Sequence, residues 1–234
     1  MIWCLGMYAS GSTWLFNAAR QVAAELAPGM PVQGIYTETL DELERLRAGA
    51  VHVVKTHDLP RAEAKYMAAK ATRILISVRD PRDAVVSLMQ HMRHKFGPAL
   101  EKIERTAAFC QFFAGDKRAE IFNYDAGFAD DIATFDRLAA ALGGALETGA
   151  RERLFAASRR AAIEDYIAVL ESLPTVVKDA RSGDVVDTDT QWHRHHAGRS
   201  GEIGRWRRML PPEAARVIEA RMGPWMREFG FMET

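Results

Sequence analysis

The sequence predicts an α/β fold in which a central, mostly parallel sheet lies between layers of helices. Short runs rich in Val and Ile alternate along the chain with longer segments that carry apolar residues at helical spacing. Runs of this kind are typical of parallel strands that are covered on both faces. The chain has 234 residues and shows no internal repeat or linker, so we expect one domain over residues 1–234.

The elements are expected in a regular order along the chain. The first strand ends at Gly6, and the first helix carries apolar residues between Leu15 and Leu26. A later helix begins at Pro81, since proline is favoured in the first turn of a helix. Residues 97–170 are expected to be mostly helical, with a break near Gly143. The remaining predictions are strands at residues 2–6, 51–55, 73–78 and 121–124, helices over 13–26 and from 81 to about 94, and a hairpin within 175–186.

Composition and charge limit the function classes. Lys plus Arg (31) equal Asp plus Glu (31), so no global field attracts nucleic acid or an anionic membrane, and neither partner is expected. Cys4 and Cys110 match no metal-ligand spacing and indicate reduced thiols. Gly6 and Ser10 interrupt the N-terminal apolar residues too early for a signal peptide, and no apolar run is long enough to span a bilayer. We therefore expect a cytoplasmic protein.

Residues 6–13, Gly-Met-Tyr-Ala-Ser-Gly-Ser-Thr, stand between a predicted strand and a predicted helix. In this position backbone N–H groups, the positive end of the helix and hydroxyl groups can surround a phosphate. The spacing is that of a P-loop, except that Ser12 stands where a lysine normally reaches the β and γ phosphates of a nucleoside triphosphate. The missing lysine argues against an ATP or GTP hydrolase. A plain turn capped by Ser10 or Ser12 is the alternative.

Lys55 ends the second predicted strand, and His57 stands two residues after it. An attacking hydroxyl must lose its proton, and a neutral imidazole titrates in the useful range, so His57 is a candidate base. Lys55 lies two residues earlier on an extended segment and is expected to project to the same side. An isolated histidine in such a position is more often a surface or capping residue.

Arg79 ends a predicted strand at its carboxyl end, where open α/β sheets bind their ligands. Ser87 follows eight residues later, two turns into the next predicted helix. A guanidinium donates forked, charge-assisted hydrogen bonds to phosphate oxygens, and a serine hydroxyl adds a neutral one. The alternative is a structural ion pair between Arg79 and Asp83, with Ser87 on the helix surface.

A basic, glycine-containing loop follows near the C-terminus, where residues 199–206 read Arg-Ser-Gly-Glu-Ile-Gly-Arg-Trp. Its two glycines permit the backbone states of a closing loop, and a solvated basic turn is the alternative. Residues 192–196 contain three histidines without an i, i+4 pair, so we expect no metal site there.

These four segments, in this order, resemble the motifs of sulfotransferases that use 3′-phosphoadenylyl sulfate (PAPS), in particular small bacterial members. Residues 10–15 resemble the family's P-K-S-G-T-T-W-L loop, residues 55–60 its K-[TS]-H-x-P segment, residues 79–87 its R-N-P-K-D-x-x-V-S run and residues 199–206 its R-K-G-x-x-G-x-W loop. The resemblance implies a three-layer, P-loop-like fold. It covers the chain from residue 2 to about residue 231.

The resemblance also implies a role for each matching residue. The 5′-phosphosulfate would be bound by Ser10, Gly11, Ser12 and Thr13, with Trp14 against the adenine. The 3′-phosphate would be bound by Arg79, Ser87, Arg199, Ser200 and Gly201. His57 would be the catalytic base, and Lys55 would support the phosphosulfate.

The sequence departs from the family at the start of the first motif, where Tyr8 replaces the proline and Ala9 replaces the lysine. That lysine is associated with charge on the bridging oxygen as the sulfuryl group leaves, and Lys55 is our candidate to take its place. The implied reaction is sulfuryl transfer from PAPS to a hydroxyl or amine of a small acceptor, with adenosine 3′,5′-bisphosphate (PAP) as product. No metal is expected, because the loop and the arginines already bind the leaving phosphate. We expect a monomer or weak homodimer. Two alternatives stay open: a small-molecule kinase, and a PAP- or PAPS-binding protein without catalysis, which Ala9 favours.

Overall fold

Five parallel strands form the central sheet of the protein. The structure is a computed structural model that describes residues 1–91, 93–178, 183–197 and 201–233. The strands of the sheet are β1 Ile2–Gly6, β2 Val32–Tyr36, β3 Val51–Thr56, β4 Arg73–Val78 and β5 Ala119–Asn123. Their order across the sheet is β2-β3-β1-β4-β5, and every neighbouring pair is parallel.

Helices cover both faces of the sheet. Their bounds are α1 Ser12–Leu26, α2 Arg61–Lys70, α3 Pro81–His91, α4 Phe96–Ala114, α5 Ala133–Leu142, α6 Thr148–Ser158, α7 Arg160–Ala168, α8 Trp206–Met209 and α9 Pro212–Glu228. Strands β6 Val176–Lys178 and β7 Val185–Asp187 pair antiparallel as a separate hairpin. No helix in these ranges is both long and apolar enough to cross a bilayer.

The alternation of side chains along β1 divides the core into two halves. Trp3 and Leu5 are buried against α2, α3, α4 and α9, whereas Ile2 and Cys4 are buried against α1, α5 and α6. Successive residues of a strand point to opposite faces, so a five-residue apolar run can serve both halves. The three-layer α/β fold expected from the sequence is therefore confirmed.

Most predicted elements are confirmed, with small shifts at their ends. The strand at Arg73–Val78 is present as expected, and the hairpin predicted within residues 175–186 is present with its second strand ending at Asp187. The helix that begins at Pro81 ends at His91 and not near residue 94. Strand β2 was missed by the sequence analysis because all its residues are only half-buried at the sheet edge, and Gly34 interrupts its apolar pattern.

Strand order explains where a ligand can bind. The chain passes from β1 to β2 and β3 on one side of the sheet, and to β4 and β5 on the other. The carboxyl end of β1 is therefore a switch point, where loops diverge and leave a crevice. Gly6 ends β1 at this place, and a Cβ built on it would lie 2.4 Å from Ser12 Cβ and 2.5 Å from Ser77 Oγ.

We expect Gly6→Ala to destabilise the protein by ~1–3 kcal/mol, since the added methyl group must displace the loop after β1. Gly149→Ala is the matched control. It lies in the first turn of α6, where a Cβ would meet only Arg153 Nη1 at an ordinary 3.8 Å, and alanine favours the helix. Urea unfolding of both variants tests the prediction. Equal stability of the two variants would contradict the close packing around Gly6.

Candidate functional site

A cavity of about 1280 Å³ opens at the carboxyl ends of the sheet strands. Most of the candidate residues line it together: Gly11, Ser12, Thr13, Trp14, Lys55, His57, Arg79, Ser87 and Gly201. They come from the loop after β1, from the start of α1, from β3, from the residues that follow β3 and β4, from α3 and from the segment before α8. The structure thus brings together residues that are as much as 190 positions apart in the chain, from 11 to 201.

The loop after β1 is shaped by two residues in left-handed conformations. Ala9 has a φ of 61° and Gly11 a φ of 75°. Glycine is also required at position 11 by contact, because a Cβ there would lie 2.8 Å from the ring of Tyr124. Gly11 is the N-cap of α1 and provides no side-chain cap, so the capped-turn alternative is not what the structure shows. The first N–H groups of α1 are therefore available to donate hydrogen bonds to an anion.

Ser10 supports the loop from behind. Its side chain is fully buried, donates to Met7 O over 2.7 Å and lies 2.7 Å from Ser77 Oγ. It does not line the cavity with its neighbours. These bonds tie the loop to β4, so the hydroxyl of Ser10 has a structural role and its backbone N–H is the group left for a ligand.

Lys55 connects β3 to the start of α1. Its Nζ donates to Thr13 Oγ1 over 2.7 Å, and the side chain is almost fully buried. Burial lowers the pKa of Lys55 to about 7, because a charged ammonium loses its hydration there. An anion in the cavity would raise the pKa of Lys55 again, because it attracts the charged ammonium group.

His57 has a defined tautomer. Its Nδ1 lies 2.7 Å from Gly6 O, and since a carbonyl only accepts, Nδ1 carries the proton. The lone pair therefore belongs to Nε2. Burial, and secondly the positive charge of Lys55, hold the pKa of His57 well below its ordinary value. A neutral imidazole at the wall of the cavity can accept a proton.

Arg79 presents a buried guanidinium to the same cavity. Its Nη1 donates to Ala9 O over 3.1 Å and its Nη2 to Glu202 O over 3.0 Å, and the guanidinium lies over the ring of Tyr124. Its Nε is buried without a partner. Within the described residues Arg79 pairs with no carboxylate. A buried cation with an unused donor is suited to bind an anion.

The predicted alternative of an ion pair between Arg79 and Asp83 is wrong. Asp83 accepts instead from the backbone N–H groups of Gly204 and Trp206, over 2.6 Å and 2.8 Å. The fully buried Asp83 therefore holds the C-terminal loop against α3. Ser87, four residues further along the helix, lines the cavity and does not lie on the exposed surface.

The C-terminal loop reaches the site through its backbone. Arg199 and Ser200 lie outside the described residues. Gly201 lines the cavity, and a Cβ on it would lie 2.6 Å from Tyr124 Oη. Its carbonyl also accepts a long hydrogen bond of 3.4 Å from the Tyr124 hydroxyl. The part of the loop that is described thus lies beside Arg79 and Tyr124.

Trp14 is fixed in the wall of the cavity. Its Nε1 donates to Ser158 O over 2.8 Å, and its ring contacts Phe128 and Phe135 edge-on. The indole is buried but still lines the cavity. These contacts orient an aromatic surface beside the loop after β1.

Sequence reasoning missed several residues around His57. Tyr8 and Tyr36 contact its imidazole, and Glu38 and Lys102 line the cavity beside them. Tyr36 and Glu38 follow from β2, which was not predicted, and Lys102 comes from the distant helix α4. Among the described residues no group of three or more His, Cys, Asp or Glu side chains is arranged to hold a metal ion.

Comparison with known proteins places this site in a family. A family model described as a sulfotransferase domain matches residues 1–122. A comparison with curated proteins gave no significant match.

Solved structures match nearly the whole chain. Mouse sulfotransferase SULT7A1 complexed with PAP has a TM-score of 0.66 at 17% identity, over 97% of this chain and 84% of that chain. Retinol dehydratase in complex with androsterone and the inactive cofactor PAP has a TM-score of 0.70 at 17% identity, over 97% and 80%. Retinol dehydratase with retinol and PAP has a TM-score of 0.66 at 17% identity, over 97% and 81%. These likenesses show a shared fold.

The segment matched by the family model contains the loop after β1, Lys55, His57, Arg79 and Ser87, and it amounts to more than half of the 234 residues. On that match, the chain belongs to the sulfotransferase domain family.

Proposed function

We propose that this sulfotransferase takes its sulfuryl group from PAPS and transfers it to a hydroxyl or amine of a small acceptor. The observation that carries the proposal is Arg79, a buried guanidinium with an unused Nε that lies beside the uncapped start of α1. A ligand with two separate anionic groups fits this pair of sites. The three similar solved structures, which contain PAP, support the same donor.

In this proposal the loop after β1 binds the 5′-phosphosulfate. The backbone N–H groups at Ser10 and Gly11, with the start of α1 at Ser12 and Thr13, surround the anion, and Lys55 adds a positive charge through its contact with Thr13. Because Ala9 offers no ammonium group, Lys55 stabilises the charge that grows on the leaving phosphate oxygen.

The other end of the donor lies beside Arg79 and the C-terminal loop, which are in contact with each other. Arg79 and Ser87 bind the 3′-phosphate, together with Gly201 and the two residues that precede it in sequence, Arg199 and Ser200. Trp14 packs against the adenine. The position of these groups around one cavity supports the assignment.

His57 acts as the base in the transfer step. Its Nε2 takes the proton of the acceptor as the acceptor oxygen or nitrogen bonds to sulfur, and the bond from sulfur to the 5′-phosphate oxygen breaks to release PAP. The hydrogen bond from Nδ1 to Gly6 O keeps Nε2 unprotonated before the step and stabilises the imidazolium after it. The chemistry needs no redox change and no metal ion.

A second candidate is a PAP- or PAPS-binding protein without catalysis, and Ala9 in place of the family's lysine is the observation that favours it. We also propose that residues 1–234 form one domain, which acts in the cytoplasm as a monomer or weak homodimer without nucleic-acid or membrane partners. The equal numbers of acidic and basic residues and the two free, buried cysteines support this part of the proposal.

Titration calorimetry with PAP tests the donor site. The protein is expected to bind PAP in preference to 5′-AMP and to ATP with Mg²⁺, and Arg79→Ala to weaken PAP binding about 10- to 100-fold, because a charge-assisted hydrogen-bond donor is lost. Arg216→Ala is the control, since that exposed arginine pairs with Glu213 on α9. No preference for the bisphosphate would refute the proposal, and preference for ATP with Mg²⁺ would favour a kinase.

PAP binding is expected to take up protons at a pH above 7, because Lys55 has a pKa of about 7 in the free protein. A bound anion raises that pKa, so the complex holds more protons than the free protein between the two values, and affinity falls as pH rises through this window. Calorimetry in two buffers of different ionisation enthalpy measures the uptake. Lys55→Met is expected to lose this proton uptake, because the group that takes up the proton is gone; equal uptake by both proteins would contradict the assignment.

His57→Gln is expected to lower sulfuryl transfer about 10²- to 10⁴-fold, because no base remains to accept the proton. Its affinity for PAP should stay close to that of wild type. PAPS consumption over a panel of phenols, alcohols and amines measures the rate. Wild-type turnover by the variant would remove His57 from the mechanism, whereas PAP binding without wild-type turnover on any acceptor would support the non-catalytic candidate.

A further inference from the structure

Tyr8 lies between a histidine and a lysine. Its ring stacks on the imidazole of His57, with ring centroids 3.9 Å apart and planes 21° apart. Lys102 Nζ lies over the same ring, 4.0 Å from its centroid. Since the imidazole occupies one face of the phenol ring at that distance, the ammonium group must occupy the other. The three side chains form an ordered stack of Lys102, Tyr8 and His57.

Each member of this stack comes from a different part of the fold. Tyr8 belongs to the loop after β1, His57 follows β3 and Lys102 lies on α4. The residue after Tyr8 is Ala9, whose φ of 61° is uncommon for a residue with a side chain. Such a conformation persists only when its surroundings hold it in place. The carbonyl of Ala9 accepts a hydrogen bond from Arg79, and the ring of the preceding Tyr8 is packed between two partners.

We propose that Tyr8 is a positioning residue for His57 and that Lys102 holds Tyr8 in place. The inference rests on the proposed role of His57 as base. The hydrogen bond from Nδ1 to Gly6 O fixes one edge of the imidazole but allows the ring to turn about that bond. A flat ring against its face removes this freedom and sets the direction of the Nε2 lone pair. The loop thus carries a positioning side chain at the place of the family's proline, next to Ala9 at the place of its lysine.

Tyr8 also shields one face of the imidazole from water. It lines the main cavity and a neighbouring cavity of about 450 Å³, whose other lining residues include Glu38, Asp58, Lys102 and Arg105. Glu38 and Lys102 also line both cavities, so these three side chains together separate one cavity from the other. Without the ring, water from the smaller cavity would reach the face of His57.

Several charged and titratable groups face the imidazole of His57, each from a different part of the fold. They are Lys55 on β3, Tyr36 on β2, Tyr8 on the loop, Lys102 on α4 and His193 on the segment after β7. The lysines and the burial favour neutral imidazole, whereas Gly6 O favours the protonated form. Removal of Tyr8 weakens the burial contribution and leaves the other groups in place, so the pKa of His57 should rise.

Nuclear magnetic resonance of ligand-free protein with ¹⁵N-labelled histidine tests this inference. The chain has seven histidines, and His57 is identified by the signal that His57→Gln lacks. In wild type we expect the Nδ1–H tautomer and ring protons shifted upfield by the Tyr8 ring. Tyr8→Leu should raise the pKa of His57 by about one pH unit or more and mix the two tautomers. Tyr8→Phe, which keeps the ring, should retain the wild-type behaviour.

Lys102→Met tests the far side of the stack and should raise the pKa of His57 by about a few tenths of a pH unit, because a nearby positive charge is lost. Lys70→Met is its control, since Lys70 lies over the ring of Tyr66 on α2 in a similar contact away from the site. The control should leave the titration of His57 unchanged. If Lys102 holds Tyr8 in place, Lys102→Met should also reduce the upfield shift of the His57 ring protons; a variant that keeps the wild-type ring shifts would overturn the role of Lys102.

Two results would overturn the role of Tyr8. One is a folded Tyr8→Leu with the wild-type pKa and tautomer at His57. The other needs no variant to fold: ring protons of His57 without an upfield shift in wild type would show that the stack does not exist in solution. Neither measurement involves PAP, so failure of wild type to bind PAP would refute the proposed donor while leaving this inference standing.

Discussion

Two buried cations without carboxylate partners among the described residues, Lys55 and Arg79, are the constraint around which the site is built. Both lie at the carboxyl edge of the sheet and are held by neutral oxygens: Thr13 Oγ1 for the ammonium group, and carbonyls of residues 9 and 202 for the guanidinium. Neutral acceptors orient a cation without cancelling its charge. The ligand-free protein therefore keeps the charge of Arg79 in a place of low dielectric, and the same burial lowers the pKa of Lys55 to about 7. An anionic ligand offsets both costs.

The surrounding polar contacts fix the elements that carry these cations. Ser10 ties the loop after β1 to β4, and Asp83 ties the C-terminal loop to α3. Arg82, next to Asp83, bonds to Asp80, Glu219 and the carbonyl of Phe231, and so joins α3 to α9 and the end of the chain. Asp80 and Asp83 are thus engaged with Arg82 and with backbone amides, which leaves Arg79 available.

The sequence analysis succeeded where a signal is local and failed where it depends on distant contacts. The strands of the sheet centre could be predicted because they are buried apolar runs, and Lys55, His57 and Arg79 because each stands at the end of such a run. Strand β2 could not, since an edge strand needs no continuous apolar run. The hydrogen bonds that Asp83 accepts from loop amides join residues more than 120 positions apart. The contact of Lys102 with Tyr8 joins α4 to the loop after β1. No spacing rule reveals either.

The way Asp83 holds the C-terminal loop also determines which parts of that loop are open to redesign. Glu202 contributes its carbonyl, and Gly204 and Trp206 contribute their amides, so the path of the segment is specified by main-chain atoms. The exposed side chain of Ile203 takes no part in these bonds. Proline is excluded at positions 204 and 206, because it has no N–H to donate. A combinatorial library at position 203 can therefore change the outer surface of the loop while Asp83 keeps its backbone in register.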